Sequence, residues 1–220
     1  MSRTAEHAHG YVPGMGHDWL LPLYDPFTRL LGVGSLHEAL VDQAGVQPGQ
    51  RVLEIGCGTG NLTLAVKRRV RDAAVTGLDP DPRALARARR KSGRAGLAVR
   101  WDRGFSEDLP YGDGSFDRVL SSLMFHHLDA DAKRATLREV RRVLTPGGTL
   151  HLLDFGGSRD ASDGFMARIA HRNHMLEDNF GDRIPTLMRE AGFVEVGAVA
   201  HRIHRLMGRA TYFRALAPDA

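Results

Sequence analysis

The sequence predicts an α/β fold: a doubly wound, mostly parallel sheet of seven strands, flanked by helices and closed by an antiparallel hairpin. Three observations predict it. A short apolar run, residues 52–55, passes through Gly56-Cys57-Gly58-Thr59-Gly60 straight into a helical pattern. That strand–glycine–helix junction is where open α/β sheets bind nucleosides. Apolar strand-like runs and helical stretches then alternate as far as Phe155, at the spacing of β-α-β units. Finally, residues 194–216 carry two strand patterns around Gly208, the mark of a terminal hairpin.

The elements follow in order. Residues 1–16 are polar, read as a flexible tail, and lack the apolar core of a signal peptide. Residues 17–45 read as two short helices around Tyr24-Asp25-Pro26, forming an N-terminal helical cap. Gln47-Pro48-Gly49-Gln50 is a turn, and 51–55 the first strand. A helix is expected over 62–71 and a strand over 74–78, ending at Asp79. Pro82 opens a helix to about Lys91, since a first-turn proline loses no hydrogen bond there. Strands are expected over 97–101 and, after the turn Tyr111-Gly112-Asp113-Gly114, over 116–123. A helix over 132–144 is stopped by Thr145-Pro146-Gly147-Gly148, and a fifth strand covers 149–155. Helices over 165–177 and 184–191, the second closed by Gly192, precede strands over 194–204 and 210–216. Residues 17–220 thus read as one domain: cap 17–45, ligand-binding core 46–155, insertion 156–192 and hairpin 193–220.

A chain of 220 residues suits a single domain with a sizeable core. No apolar run approaches the roughly 18 residues of a membrane span, so stable membrane insertion is not expected. A single cysteine permits no internal disulfide and fits a reducing cytoplasm. The net charge is +4, with arginines crowded between Lys67 and Arg103. These fall on the outer faces of two expected helices, with no aromatic residue among them before Trp101 to stack bases. They read as a solvated surface rather than a nucleic-acid site. The eleven histidines are scattered without metal-ligand spacing, and no metal is expected.

The glycine spacing chooses the ligand. A dinucleotide loop reads G-x-G-x-x-G. Here the third glycine comes one residue early, and Glu54 sits two residues before the first. A carboxylate there repels pyrophosphate but attracts an ammonium or sulfonium group. Cys57, inside the loop, reads as a packing residue. Asp79, at the end of the second strand, is placed to accept hydrogen bonds from both hydroxyls of a ribose.

The E-x-G-x-G-x-G loop resembles motif I of the class I S-adenosylmethionine-dependent methyltransferases. Residues 104–117, Gly-Phe-Ser-Glu-Asp-Leu-Pro-Tyr-Gly-Asp-Gly-Ser-Phe-Asp, resemble the G-D-A-E-x-L-P-F-x-D-x-S-F-D segment of their small-molecule members. The segment around Tyr24-Asp25 resembles the one preceding the core of the menaquinone and ubiquinone C-methyltransferases. The resemblance implies a Rossmann-like methyltransferase fold and S-adenosylmethionine as cofactor. Methyl transfer to a small-molecule acceptor is then expected, at O, N, S or C, by in-line displacement. It places Glu54, Gly56, Cys57, Gly58, Gly60, Asp79, Pro80, Phe105, Ser106, Ser121 and Ser122 along the cofactor. Phe105 stands where the family has an acidic residue facing adenine, so the acceptor for the adenine amino group falls to Asp102, Asp108 or a backbone carbonyl. His127 and Tyr24 are the candidate catalytic residues, orienting or deprotonating the acceptor. His126, Trp19, Arg172 and His174 are the candidate substrate contacts. Two other readings are an NAD-dependent oxidoreductase on a similar sheet and a non-catalytic nucleoside-binding or membrane-surface protein. The glycine spacing, Glu54 and the terminal hairpin argue against the first.

Overall fold

The computed structural model describes residues 32–156, 181–204 and 208–219. The chain runs α1 (Val33–Ala44), β1 (Arg51–Ile55), α2 (Asn61–Arg69), β2 (Ala74–Asp79), α3 (Pro82–Arg94), β3 (Arg100–Arg103) and β4 (Phe116–Ser122). It continues through a single 3-10 turn (Phe125–His127), α4 (Ala130–Val143), β5 (Leu144–Phe155), α5 (Arg183–Glu190), β6 (Val194–His204) and β7 (Gly208–Leu216). The seven strands form one sheet in the order β3-β2-β1-β4-β5-β7-β6. β7 runs antiparallel to β5 and β6, and the other neighbours are parallel. The expected doubly wound sheet and terminal hairpin are both present. The chain winds outward from β1 to β3, then returns to place β4 on the other side of β1. That reversal opens a crevice at the carboxyl ends of β1 and β4.

Side-chain alternation along the strands separates two apolar layers. Val52, Leu120, Leu153 and Tyr212 pack against Leu36, Leu40, Leu62 and Val66 of α1 and α2. Leu53, Ile55, Val119, Leu152 and Phe213 pack against Leu137 and Val140 of α4 and Ile184 and Met188 of α5. A smaller cluster joins Cys57, Leu64, Leu85, Ala88 and Trp101. Central strands covered on both faces are near-continuous apolar runs, which made them legible in the sequence.

Several boundaries differ from expectation for local reasons. α4 starts at Ala130 rather than 132, because the Asp129 side chain accepts the Ala132 N–H at 2.8 Å. α3 runs on to Arg94, and Gly96 (φ +61) turns the chain so that the Leu97 N–H reaches the Ser92 carbonyl. Leu97 therefore ends the helix and packs in the core, and β3 is delayed to Arg100–Arg103. β5 already pairs at Leu144, and residues 145–148 bulge out before pairing resumes at Thr149. The bulge is stitched to the residue after β7 by Gly147 N–H to Ala217 O and Ala217 N–H to Gly148 O. Among the described residues no helix is long and apolar enough to cross a membrane, and no cluster of acidic, histidine and cysteine side chains suits a metal.

Polar ties hold α1 to the sheet. His151 bonds Gln43 Nε2 through Nδ1 (3.1 Å) and Thr149 Oγ1 through Nε2 (2.9 Å). His37 Nε2 meets Ser122 Oγ at 3.0 Å. Burial above all lowers His151 to about 3 and His37 and His127 to about 4, from the usual 6.5. The unfolded chain protonates these rings near 6.5 and the fold does not. Their stability is therefore complete above that pH and lost as pH falls toward 4. Buried Glu54 acts oppositely. Its carboxyl is raised from 4.5 to about 8, so its contribution declines as pH rises between those values. The three histidines outweigh Glu54 and Asp79, the two buried carboxyls raised above their ordinary values, and the net is an acid loss. The urea midpoint is expected to drop between about pH 7 and about pH 5, and His151→Gln to shallow that drop. A drop of the same size in the variant removes His151 from the cause.

Candidate active site

The glycine loop leaves β1 at the crevice, and its three glycines do different things. All three have positive φ. A Cβ on Gly60 would lie 2.4 Å from the Trp101 ring, and one on Gly56 would lie 2.3 Å from Met124 Cγ. These two glycines admit protein side chains. A Cβ on Gly58 would meet nothing within 4 Å. The close approach expected of a ligand along the whole loop thus narrows to Gly58. Its N–H donates to Asp79 Oδ2 at 2.7 Å, while Asp79 Oδ1 accepts the Asp81 N–H at 2.9 Å. Asp79 is buried, and burial, partly opposed by these two bonds, raises its carboxyl above the ordinary range. Each oxygen keeps a further lone pair for a ribose hydroxyl. Beside it, the Pro80 carbonyl accepts Arg103 Nε at 3.1 Å.

One of two loop residues differs from expectation. Glu54 does not stand open beside the loop. It is buried on the α2 side, and its carboxyl accepts the Thr63 hydroxyl, tying β1 to α2. Its position two residues before the first glycine puts it on the same strand face as Val52, which α2 covers. Cys57 is buried in the small cluster, where burial pushes its thiol well above the usual value. It packs, as its small size suggested.

At the nucleoside end, Phe105 is 43% exposed, a large apolar side chain at the rim. Gly104 N–H donates to the Asp79 carbonyl at 3.3 Å, which brings this segment beside Asp79. The Ser106 hydroxyl turns inward and meets Thr136 Oγ1 of α4 at 2.8 Å, leaving only its backbone for a ligand. Asp102, one of the acceptors considered for adenine, takes the Tyr111 hydroxyl at 3.0 Å and Arg100 Nε at 2.7 Å. Asp108 is exposed. The segment is clamped to α4 by contacts the sequence did not announce. Glu139 Oε2 accepts the Leu109 N–H, and Arg142 donates to the Leu109 and Tyr111 carbonyls and to Asp113. An i,i+3 Glu139–Arg142 pair on an expected helix was the available signal.

At the other end, β4 stops at Ser122. Ser121 Oγ is buried with no hydrogen-bond partner among the described residues, while Ser122 Oγ is taken by His37. Leu123 adopts φ +53, unusual for a branched side chain, and its N–H donates to the Leu153 carbonyl at 2.8 Å. The chain therefore turns sharply over the crevice. Met124 lands against Gly56 and the histidine pair follows.

The carboxylate partner falls to His126, not to His127, the ring expected to serve. His126 Nδ1 lies 2.7 Å from Asp154 Oδ1, and its backbone N–H donates to Oδ2 at 3.1 Å. Asp154 was missed in the sequence. It ends the apolar run Leu152-Leu153, at the crevice edge of β5, and that placement was the available signal. The His127 ring lies 4.1 Å from that of His126, and burial, with His126 second, keeps it neutral down to about 4. Tyr24, Trp19, Arg172 and His174 lie outside the described residues.

The open face at Gly58, the free lone pairs of Asp79, the exposed Phe105 ring and the orphaned Ser121 hydroxyl fit a nucleoside carrying a short polar tail. They fit S-adenosylmethionine on that ground. Residues 52–148 match the family model of the methyltransferase domain. A demethylmenaquinone methyltransferase of Thermus thermophilus is 38% identical over 171 residues, covering 74% of this chain and 77% of that protein. Its counterpart in Deinococcus radiodurans is 37% identical over 139 residues, 62% of this chain and 57% of that protein. The crystal structure of a putative sarcosine dimethylglycine methyltransferase from Galdieria sulphuraria has the same fold. It superposes with a TM-score of 0.69 at 18% identity, over 86% of each chain. The loop spacing, the acidic end of β2 and the strand order thus share one explanation: the chain belongs to the class I S-adenosylmethionine-dependent methyltransferases, in the menaquinone-methyltransferase group.

Proposed function

We propose that the acceptor is a hydroxylated aromatic ring of the demethylmenaquinol kind, methylated at a ring carbon. The observation that carries this reading is the demethylmenaquinone methyltransferase relative aligned over most of both chains. S-adenosylmethionine supplies an electrophilic methyl carbon on a positively charged sulfur. The protein's part is to hold and orient. Asp79 accepts the ribose hydroxyls, Phe105 covers the adenine face, and the Gly58 backbone lies against the ligand. The turn from Leu123 to His127 presents His126 and His127 to the acceptor. Tyr24, Trp19, Arg172 and His174 remain acceptor-side candidates by resemblance. Holding both reactants in line contributes on the order of 7–11 kcal/mol to such a transfer.

The test is incubation with S-adenosylmethionine and a short-chain demethylmenaquinol under reducing conditions, with products read by mass spectrometry. Addition of one methyl to ring carbon is expected. Calorimetry should show binding of S-adenosylhomocysteine and none of NAD. Methylation of simple alcohols or amines with the quinol untouched would overturn the acceptor assignment while keeping the donor.

A further inference from the structure

We propose that His126 is the general base of the transfer and Asp154 its positioning residue, so that a hydroxyl of the acceptor is deprotonated before methylation. The proposal rests on the hydroxylated-ring acceptor proposed above.

The geometry at Asp154 carries it. The side chain is fully buried at the end of β5. Its two oxygens each accept a backbone N–H, Oδ2 from His126 and Oδ1 from Phe155 at 2.7 Å. With donors on both oxygens the carboxylate cannot rotate, and it can only accept. His126 Nδ1, 2.7 Å from Oδ1, must therefore carry the proton. That distance is at the short end for a charge-assisted bond. The tautomer is thereby set: in the neutral ring Nε2 holds a lone pair, and no described residue bonds it. The ring plane is held by the His127 ring at 4.1 Å and the Phe155 edge at 5.0 Å. The side chain is 14% exposed, so the ring is confined but reachable. Its place in the fold is the mouth of the crevice, two residues after Met124, which lies on Gly56 of the loop. A base belongs beside the acceptor, and a buried carboxylate behind it stabilises the imidazolium that forms. His127 has no such partner among the described residues.

The acceptor O–H bond breaks, its proton goes to His126 Nε2, and the electron pair stays on oxygen. The charge spreads to the adjacent ring carbon. The new carbon–carbon bond forms there as the methyl–sulfur bond breaks, and that electron pair leaves on sulfur. The hydrogen on the methylated carbon then departs as a proton to water, restoring the ring. His126 returns its own proton to solvent.

Asp154→Asn and His126→Gln test it, each in the full chain. General-base catalysis contributes roughly 10²–10⁴-fold, so kcat with a short-chain demethylmenaquinol should fall at least about 100-fold. KM and S-adenosylhomocysteine affinity should stay near wild type. With a ring-fluorinated analogue, whose hydroxyl is already ionised at the assay pH, both variants should recover to near wild-type rate. A downfield proton resonance from His126 Nδ1–H should be present in the wild type and absent in Asp154→Asn. An unchanged kcat, or an equal loss with the ionised acceptor, overturns the base. If Asp154→Asn does not fold, His126→Gln, at the partly exposed ring, decides by the same rates. A wild type that methylates no hydroxylated ring overturns the acceptor assignment instead, and the Nδ1–H resonance then tests the His126–Asp154 pairing alone.

Discussion

Replacing Gly60 with alanine is expected to destabilise the fold by about 2–5 kcal/mol. Two costs add. Gly60 holds φ +79, a conformation that costs a residue with a Cβ roughly 1–2 kcal/mol. The new methyl would also stand 2.4 Å from the Trp101 ring, which is wedged among Cys57, Leu85 and Ala88 and cannot swing away cheaply. Overpacking of that kind costs about 1–3 kcal/mol. Gly58→Ala is the matched control. It has the same sign of φ but open space for its methyl, so only the first cost applies to stability. There the methyl should instead block the ligand and weaken S-adenosylhomocysteine binding. Urea unfolding and calorimetry on the two variants separate the roles. Equal stability losses would overturn the division of the loop into one packing glycine and one ligand-facing glycine.

Asp79→Ala is expected to weaken S-adenosylhomocysteine binding by at least roughly 10–100-fold, since each charged hydrogen bond lost is worth about 1.5–3 kcal/mol. The carboxylate does two jobs with its four lone pairs. One on each oxygen holds the backbone, at Gly58 N–H and Asp81 N–H, and the others are those proposed to take the ribose hydroxyls. Alanine leaves both amides without their acceptor, so the glycine loop should also slacken. Affinity within about twofold of wild type, measured by calorimetry, would show that the ribose is held elsewhere. The variant also reports on Pro80 and Phe105. Both follow from the end of β2 and the Gly104–Asp79 contact, so a loose loop should blur the adenine end as well.

Much of this was legible because the relevant signals are local. Val52–Ile55 reads as a strand because it is apolar on both faces, and Gly56 to Gly60 mark a sharp junction that few residue types permit. Asp129 and Asp81 cap helices through bonds spanning two or three residues, although only the Pro82 start was read correctly. The misreadings came from longer reach. Leu97 looked like a strand residue, yet its backbone closes α3 and its side chain fills the cluster beneath Trp101. Glu54 looked like a ligand contact, yet α2 packs over it and Thr63 takes its carboxyl. At Ser106 the expected ring contact is the backbone N–H, which stays available, while the tie of its hydroxyl to Thr136, thirty residues away, had no local signal.

The amino-acid sequence alone determined the sheet, the donor-binding loop and the acidic end of β2, because strand periodicity, glycine spacing and chain connectivity are properties of neighbours. Which histidine has a carboxylate was decided only by the tertiary structure. His126 and His127 are adjacent and chemically identical, and Asp154 lies 28 residues on. The left-handed turn at Leu123 and the parallel pairing of β4 with β5 bring that carboxylate under one ring and not the other. Such a choice depends on the direction each side chain takes from a folded backbone, and no spacing in the sequence encodes it.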